Sequence, residues 1–428
     1  MKEQKNIYMS LAHMSGYELR YINEAFATNW VVPLGPNVNG FESDLENYIA
    51  RNHSHLPREE GEKRVCVLSS GTAAVHLGLL NLGVGKGDEV ICQSLTFCAS
   101  VNPAVYLGAK PIFIDSERDT YNMDPAIVEF AIKDRIQRTG RVPKAIVVVH
   151  LYGMPSKIDE ISKVADKYGI PIMEDAAEAM GSKYKGRLCG TFGQYGVWSF
   201  NGNKMITTSG GGALICPDGD SKKRSIFYAT QAKEPTPYYQ HEEVGYNYRL
   251  SNISAGIGRG QMHAVDSHVA HHKYIHEAYS SAFQNDENVS VHTQPSLDMD
   301  SNYWLTTILL SPEAKIIDGD KLSKIVSVHS EGGQPNDNVE QLRQLLENYG
   351  IESRALWKPL HCMPVYGYSH YKKSFVSGIK ILESDQSAAY VNGTSEELFQ
   401  RGLCLPSGPC VSSEDVSFIV DCIKSAVR

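Results

Sequence analysis

Residues Pro171 to Leu214 read PIMEDAAEAMGSKYKGRLCGTFGQYGVWSFNGNKMITTSGGGAL. A short apolar run beginning at Pro171 ends in an acid, Asp175, and a second apolar run, VWSF, ends at Phe200. Bounded as they are by glycine and polar residues, both runs read as strands. A lone lysine, Lys204, follows in a glycine-rich loop. An acid and a primary amine leaving neighbouring strand ends suit pyridoxal phosphate, which needs a carboxylate for its ring nitrogen and an amine for its aldehyde.

On the N-terminal side the same alternation begins at Arg64. The run RVCVL precedes SSGTAAVHLGLLNLGV, in which Ser-Gly-Thr opens a helical pattern. Backbone N–H groups and a hydroxyl at a helix N-terminus make a seat for a phosphate, although the same turn also occurs where nothing binds. Strand and helix patterns then alternate: DEVICQ, a helical LTFCASVNPAVYLG, the strand KPIFIDS, a helix over 124–138, KAIVVVHLYG, a helix over 156–168, IPIMED and VWSF. Such alternation predicts an α/β fold, a mostly parallel sheet covered on both faces by helices, with ligand groups gathered at the carboxyl ends of the strands. Gly71, Thr72, Phe97, Asp175 and Lys204 all follow strands, which places them on one rim.

Before Arg64, polar residues with short helical patterns are interrupted by NWVVPLGPNVNGFE (29–42), where Pro and Gly argue against a regular element. This loop either packs the N-terminal arm on the body or edges the active site. Residues 51–63 read as a charged surface insertion. Beyond Leu214, a Pro-rich polar segment leads into a helix, and a long helical stretch reaches about residue 284. Sheet and loop are expected after it, with exposed loops at 331–338 and 366–384. The expected division is a large cofactor-binding domain with its N-terminal arm, 1–255, and a smaller α+β domain, 256–428.

A formal charge of -8 over 428 residues, with no lysine or arginine cluster, leaves no electrostatic footprint for nucleic acid. No apolar run approaches the roughly 18 residues of a spanning helix, and the N-terminus lacks the apolar core of a signal peptide. A soluble, cytoplasmic protein without a membrane partner is therefore expected. Nine cysteines, with no C-x-x-C pair, read as reduced core residues. The stretch SHVAHHKYIHEAY places His268, His272 and His276 on one face of a helix that reads as polar, but no acid or thiol cluster joins them, and no metal site is expected.

Taken together, the motifs NWVVPLGPNVNGFE, SSGTAA, TFCAS, EDAAEAMGS, SFNGNK, GYNYRLSN, LWKPLH and LCLPSG span nearly the whole chain. In this combination the sequence resembles the DegT/DnrJ/EryC1/StrS sugar aminotransferases, enzymes of pyridoxal phosphate fold type I, which implies a mostly parallel seven-stranded-type sheet sandwiched by helices. The resemblance implies that Lys204 forms the internal aldimine and later shuttles a proton, and that Asp175 keeps the pyridine nitrogen protonated. It further implies that Gly71, Thr72, Ala73 and Ser199 hold the phosphate, that Phe97 stacks on the ring, and that Glu178 approaches the ring hydroxyl, where relatives often carry Gln or His. Asn247 matches an asparagine that reaches the phosphate of a neighbouring subunit, which implies a homodimer with shared active sites. Asn29, Trp30, Trp357, Lys358 and His361 match loops that contact the nucleotide sugar.

Within the family, SFNGNKMITTSGGG and LWKPLH are most similar to the branch acting on UDP-linked 4-keto-6-deoxy-N-acetylhexosamines, as in bacillosamine-type pathways. Two positions depart from many relatives, Ser209 in place of Glu and Ala355 in place of Pro. The expected reaction moves an amino group, with glutamate as the implied donor, onto such a keto sugar during cell-surface glycan or glycoconjugate synthesis. A GDP- or dTDP-linked keto sugar is the alternative acceptor. A dehydratase, which in this family has histidine in place of the lysine, is disfavoured by Lys204, and a non-catalytic regulator on the same fold is disfavoured by the complete lysine, aspartate and phosphate set.

Overall fold

The computed structural model describes residues 6–53, 64–317 and 335–428. Residues 54–63 of the charged stretch and 331–334 of the loop expected at 331–338 lie outside them, and the described end of that loop already opens a helix, Asp337–Asn348. Ten strands form the larger sheet, in the spatial order Arg64–Leu68, Gly212–Cys216, Tyr195–Ser199, Ile172–Asp175, Ala145–Val149, Glu89–Gln93, Lys110–Ile114, Ala388–Val391, Ile379–Glu383 and Lys372–Val376. The five pairings from Tyr195–Ser199 across to Ala388–Val391 are all parallel.

Helices Gly71–Asn81, Pro125–Thr139 and Ile158–Tyr168 are among the elements that alternate with these strands. With both faces covered, the central strand AIVVV is buried at every position, so its sequence is continuously apolar instead of alternating. Val147 joins Leu77, Val90 and Met173 in one core cluster, while Ile146 and Val148 join Ile91, Ile158 and Ile172 in another. This division follows from side chains pointing to opposite faces at successive strand positions. Each such fully buried side chain contributes about 1.5–3 kcal/mol relative to exposure.

Within the parallel part, Val149 lies level with Asp175 and Asp175 with Val197, so the carboxyl ends of three adjacent strands share a rim. The final strand of the first run, Gly212–Cys216, enters antiparallel and closes the sheet between Tyr195–Ser199 and Arg64–Leu68.

Four expectations change. Residues expected as an exposed loop at 366–384 contain two strands, which with Ala388–Val391, paired parallel with Lys110–Ile114, extend the large sheet. The same strands cross the division placed at residue 255, since the chain returns from a second sheet to the first. That second sheet is antiparallel, in the order Val289–Val291, Thr306–Leu310, Gly402–Leu405, Arg354–Ala355, and packs on helices Val265–Phe283, Asp337–Asn348 and Ser413–Ala426.

Third, Pro36 does not prevent a helix but starts one, Pro36–Asn52. Proline is tolerated at the first helical position because its missing N–H has no intrahelical acceptor there. Fourth, the helix carrying His268, His272 and His276 is not polar on that face. All three are buried: His268 Nδ1 meets the Met205 carbonyl at 2.9 Å, His272 Nδ1 the Tyr303 carbonyl at 3.2 Å, and the His276 ring stacks on Tyr303 at 3.5 Å. Burial pushes His272 and His276 down to about 3, so they are neutral core residues.

Candidate active site

A cleft of about 470 Å³ opens at the carboxyl ends of the parallel strands. Its floor begins where Arg64–Leu68 turns into the helix Gly71–Asn81. Ser70 caps that helix, its Oγ accepting from the Ala73 N–H at 3.0 Å. The Ala73 N–H is thus already engaged, and Ala73 itself lies behind the cleft wall. Gly71 and Thr72 line the cleft, and first-turn N–H groups such as theirs have no acceptor within the helix. Ser199, at the end of its strand, stands beside them: a Cβ on Gly71 would lie 3.2 Å from the Ser199 Cβ.

Asp175 ends the strand Ile172–Asp175 and is 6% exposed. One carboxylate oxygen accepts from the Ser100 hydroxyl at 2.6 Å and the other from the Ala177 N–H at 3.1 Å. Ser100 in turn contacts the Thr96 hydroxyl at 3.0 Å, so the TFCAS turn holds the acid by its side chain. Sequence reading takes only Phe97 from that turn; the hydroxyl three residues on, at Ser100, is the signal for this contact. Phe97 is 57% exposed and lines the cleft, with its ring 6.2 Å from that of Trp357.

Lys204 follows the strand Tyr195–Ser199, and its Nζ enters the same cleft. The Nζ lies 3.3 Å from Glu178 Oε1 and 3.7 Å from the centroid of the Trp304 ring. The other Glu178 oxygen accepts from the Tyr152 N–H at 2.7 Å. To aim that N–H, Tyr152 adopts a left-handed backbone, φ 54° and ψ 17°, a conformation of the kind that clusters at functional sites. Burial raises the Glu178 carboxyl above its ordinary range, against the pull of Lys204 and the Tyr152 N–H. The Tyr152 hydroxyl accepts from the Trp357 N–H at 2.9 Å, which ties the LWKPLH segment to Glu178 through one side chain. Ser209, also left-handed at φ 69°, precedes the Gly210 and Gly211 pair at the cleft edge.

Tyr152, Trp304 and Arg354 escaped sequence reading because nothing local marks them: each is brought to Lys204, Glu178 or the cleft mouth from a distant element. The remaining expected residues are not gathered in this chain's cleft. Asn29 sits at φ 59° and Trp30 is 38% exposed, its carbonyl accepting from Asn252 Nδ2 at 2.9 Å. Asn247 is exposed, in an isolated bridge with Thr230. Lys358 is half-buried outside the cleft lining.

His361 does not face the cleft. It is fully buried, with Nδ1 2.7 Å from the Ser94 hydroxyl and Nε2 3.3 Å from Glu396. Burial alone would lower its imidazole, but Cys362 and Glu396 more than reverse this, to about 9. His361, Cys362 and Glu396 bring ligand atoms within 4.8 Å of one another, while Lys373 and Lys380 line the same recess.

A largely parallel sheet with a lysine, an acid and a helix N-terminus on one rim is the architecture of a known enzyme class. The crystal structure of a DegT DnrJ EryC1 StrS aminotransferase from Brucella abortus matches with a TM-score of 0.78 at 26% identity, covering 96% of this chain and 95% of that one. The chain belongs to the DegT/DnrJ/EryC1/StrS aminotransferase family, which it matches over residues 13–424. It is 42% identical to the "Putative pyridoxal phosphate-dependent aminotransferase EpsN" of Bacillus subtilis, over 97% of this chain and 95% of the relative. It is also 33% identical to the GDP-perosamine synthase of Escherichia coli O157:H7, over 96% of both chains. No helix among the described residues is long and apolar enough to cross a membrane.

Proposed function

We propose that the chain is a pyridoxal phosphate-dependent aminotransferase acting on a nucleotide-linked keto sugar. The observation that carries this reading is the convergence on one cleft of Lys204, Asp175 and the free helix N-terminus at Gly71 and Thr72. The family membership and the name of the 42% identical relative support the cofactor, and the name of the 33% identical relative supports a nucleotide sugar.

The donor set fits the cofactor. Gly71, Thr72 and Ser199 would hold its phosphate, Asp175 its ring nitrogen, Phe97 a ring face and Glu178 the ring hydroxyl. Pyridoxal phosphate supplies an aldehyde for Lys204 and a ring that accepts the electron pair released when a C–H bond of the donor breaks. Ser100 and Ala177 orient Asp175 for its task. Lys204, once its amine is free, takes the proton at the reacting carbon and returns it. Glu178, held by the Tyr152 N–H, is the acid beside that amine. Arg354 at the cleft mouth supplies a cation for a carboxylate or diphosphate, and Trp357 an aromatic face. Asn247 is exposed and outside its own cleft, which supports the reading that it serves the site of a second copy in a homodimer; the donor in this reading is glutamate.

The acceptor read from the motifs is a UDP-linked 4-keto-6-deoxy-N-acetylhexosamine. A GDP-linked keto sugar is the second reading, favoured by three relatives of 30–33% identity named GDP-perosamine synthase. An absorbance titration tests both: protein loaded with pyridoxal phosphate shows a visible band, glutamate bleaches it, and the correct keto sugar restores it. Restoration by the GDP-linked sugar alone would reject the UDP-linked acceptor, and absence of any band would reject the cofactor.

A further inference from the structure

Beneath Lys204 lies a residue that no motif marks. Trp304 is 2% exposed, and its ring centroid is 3.7 Å from the Lys204 Nζ, which also lies 3.3 Å from Glu178 Oε1. Trp304 is held through both its side chain and its backbone. Its Nε1–H donates to the carbonyl of Asn203, the residue before Lys204, at 2.6 Å, and its backbone N–H donates to Asn302 Oδ1 at 2.8 Å. Asn302 in turn donates from Nδ2 to the carbonyls of Glu178 and Met180, at 3.0 and 2.9 Å. One short segment leading into Thr306–Leu310 of the second sheet therefore grips the backbone on either side of the cleft, at Glu178 and at Asn203, and lays an aromatic face under the amine.

We propose that Trp304 is a positioning residue for Lys204: its indole face is the seat on which the free lysine ammonium rests between the moments when the amine is bonded to the reacting carbon. This rests on the proposed aminotransferase reading. A cation over a tryptophan face is held by the ring quadrupole, and the hold strengthens where water is excluded. Lys204 carries a long, flexible stem, and a proton carrier works only if it returns to one place above the reacting carbon. The charged groups around the seat are Glu178 at 3.3 Å, Asp175 deeper in the cleft and Arg354 at its mouth. Glu178 attracts the ammonium from one side, and Trp304 adds a second, non-ionic contact that sets how far the amine swings.

The test needs no turnover for its first readout. In cofactor-free wild-type protein carrying ¹³C at the lysine ε-carbons, the Lys204 ε-methylene protons, assigned by their loss in Lys204→Arg, should be shifted upfield of every other lysine by the indole ring current. Trp304→Phe should keep a reduced shift and Trp304→Leu should lose it. With pyridoxal phosphate and glutamate, Trp304→Leu should lower kcat roughly tenfold with the donor KM unchanged, whereas Trp304→Phe should stay within about threefold of wild type. A Lys204 resonance at the ordinary lysine position in the wild-type protein overturns the proposal even if the Leu variant does not fold, and so does a wild-type kcat in a folded Leu variant. If the protein binds no pyridoxal phosphate, the aminotransferase reading fails while the ring-current shift still decides the seat.

Discussion

The two walls of the cleft are built differently. The wall on the large sheet carries a hydroxyl, a carboxyl group and an amine, and each leaves a strand within a few residues: Thr72 after Arg64–Leu68, Asp175 at the end of Ile172–Asp175, Lys204 after Tyr195–Ser199. The facing wall carries Trp304, Arg354 and Trp357, which come from the segments around the second sheet. In the proposed function the first wall would supply charge and proton transfer, and the second aromatic faces and a guanidinium. A parallel sheet can gather reactive groups from separate strand ends by its own topology, whereas the aromatic wall exists only because the C-terminal half folds back onto it.

If that division of labour is right, damage to the first wall strikes turnover and damage to the second strikes positioning and acceptor binding. Lys204→Ala should lower turnover by roughly 10⁴-fold or more with an unchanged far-ultraviolet circular dichroism spectrum; near-normal activity would break the comparison at its strongest point. Asp175→Asn, which removes charge but keeps the Ser100 contact, should reduce kcat by about 10²–10³-fold, measured in the glutamate half-reaction alone. Trp357→Leu should raise the KM for the nucleotide sugar by roughly tenfold and leave the glutamate half-reaction untouched. A loss confined to the donor half-reaction would move Trp357 to the first wall.

The junction between the two walls offers a pH test. His272 and His276, packed against Tyr303 beside Trp304, have folded values near 3 where an unfolded histidine has 6.5. Their depressed values mean that the unfolded chain binds the extra proton first, so stability is intact above about pH 6.5 and is lost as pH falls towards 3. At about pH 5 each contributes a loss of about 2 kcal/mol, from the 1.5 units between 6.5 and that pH. Thermal unfolding of wild type should fall between about pH 7 and pH 5, and His272→Gln should flatten that decline; an unchanged slope would place the acid-sensitive group elsewhere.

Much of the fold was legible in the sequence because alternating strand and helix patterns are local. The helices expected over 124–138 and 156–168 are observed as Pro125–Thr139 and Ile158–Tyr168. What misled was also local in origin. Proline and glycine in NWVVPLGPNVNGFE argued for a loop, yet Pro36 occupies the one helical position that suits it. Charged and glycine-containing residues at 366–384 looked like a loop, yet form the strands Lys372–Val376 and Ile379–Glu383 at the sheet edge, where an exposed strand is polar. The three helix histidines looked polar because burial depends on what packs against them.

For the site, the sequence by itself determined which residues share the cleft: Lys204, Asp175, Gly71, Thr72, Ser199 and Phe97 all stand within a few residues of a strand end, and strand ends in a parallel sheet share a rim. Tertiary structure alone decided which other groups meet them. It turned His361 away from the cleft onto Ser94 and Glu396, engaged the Ala73 N–H with Ser70, and brought Tyr152 to Glu178 and Trp304 to Lys204. Strand-end placement follows from short-range pattern and backbone geometry, but a contact across 100 residues of chain, such as that between Trp304 and Lys204, is set by how two sheets dock, which no local pattern encodes.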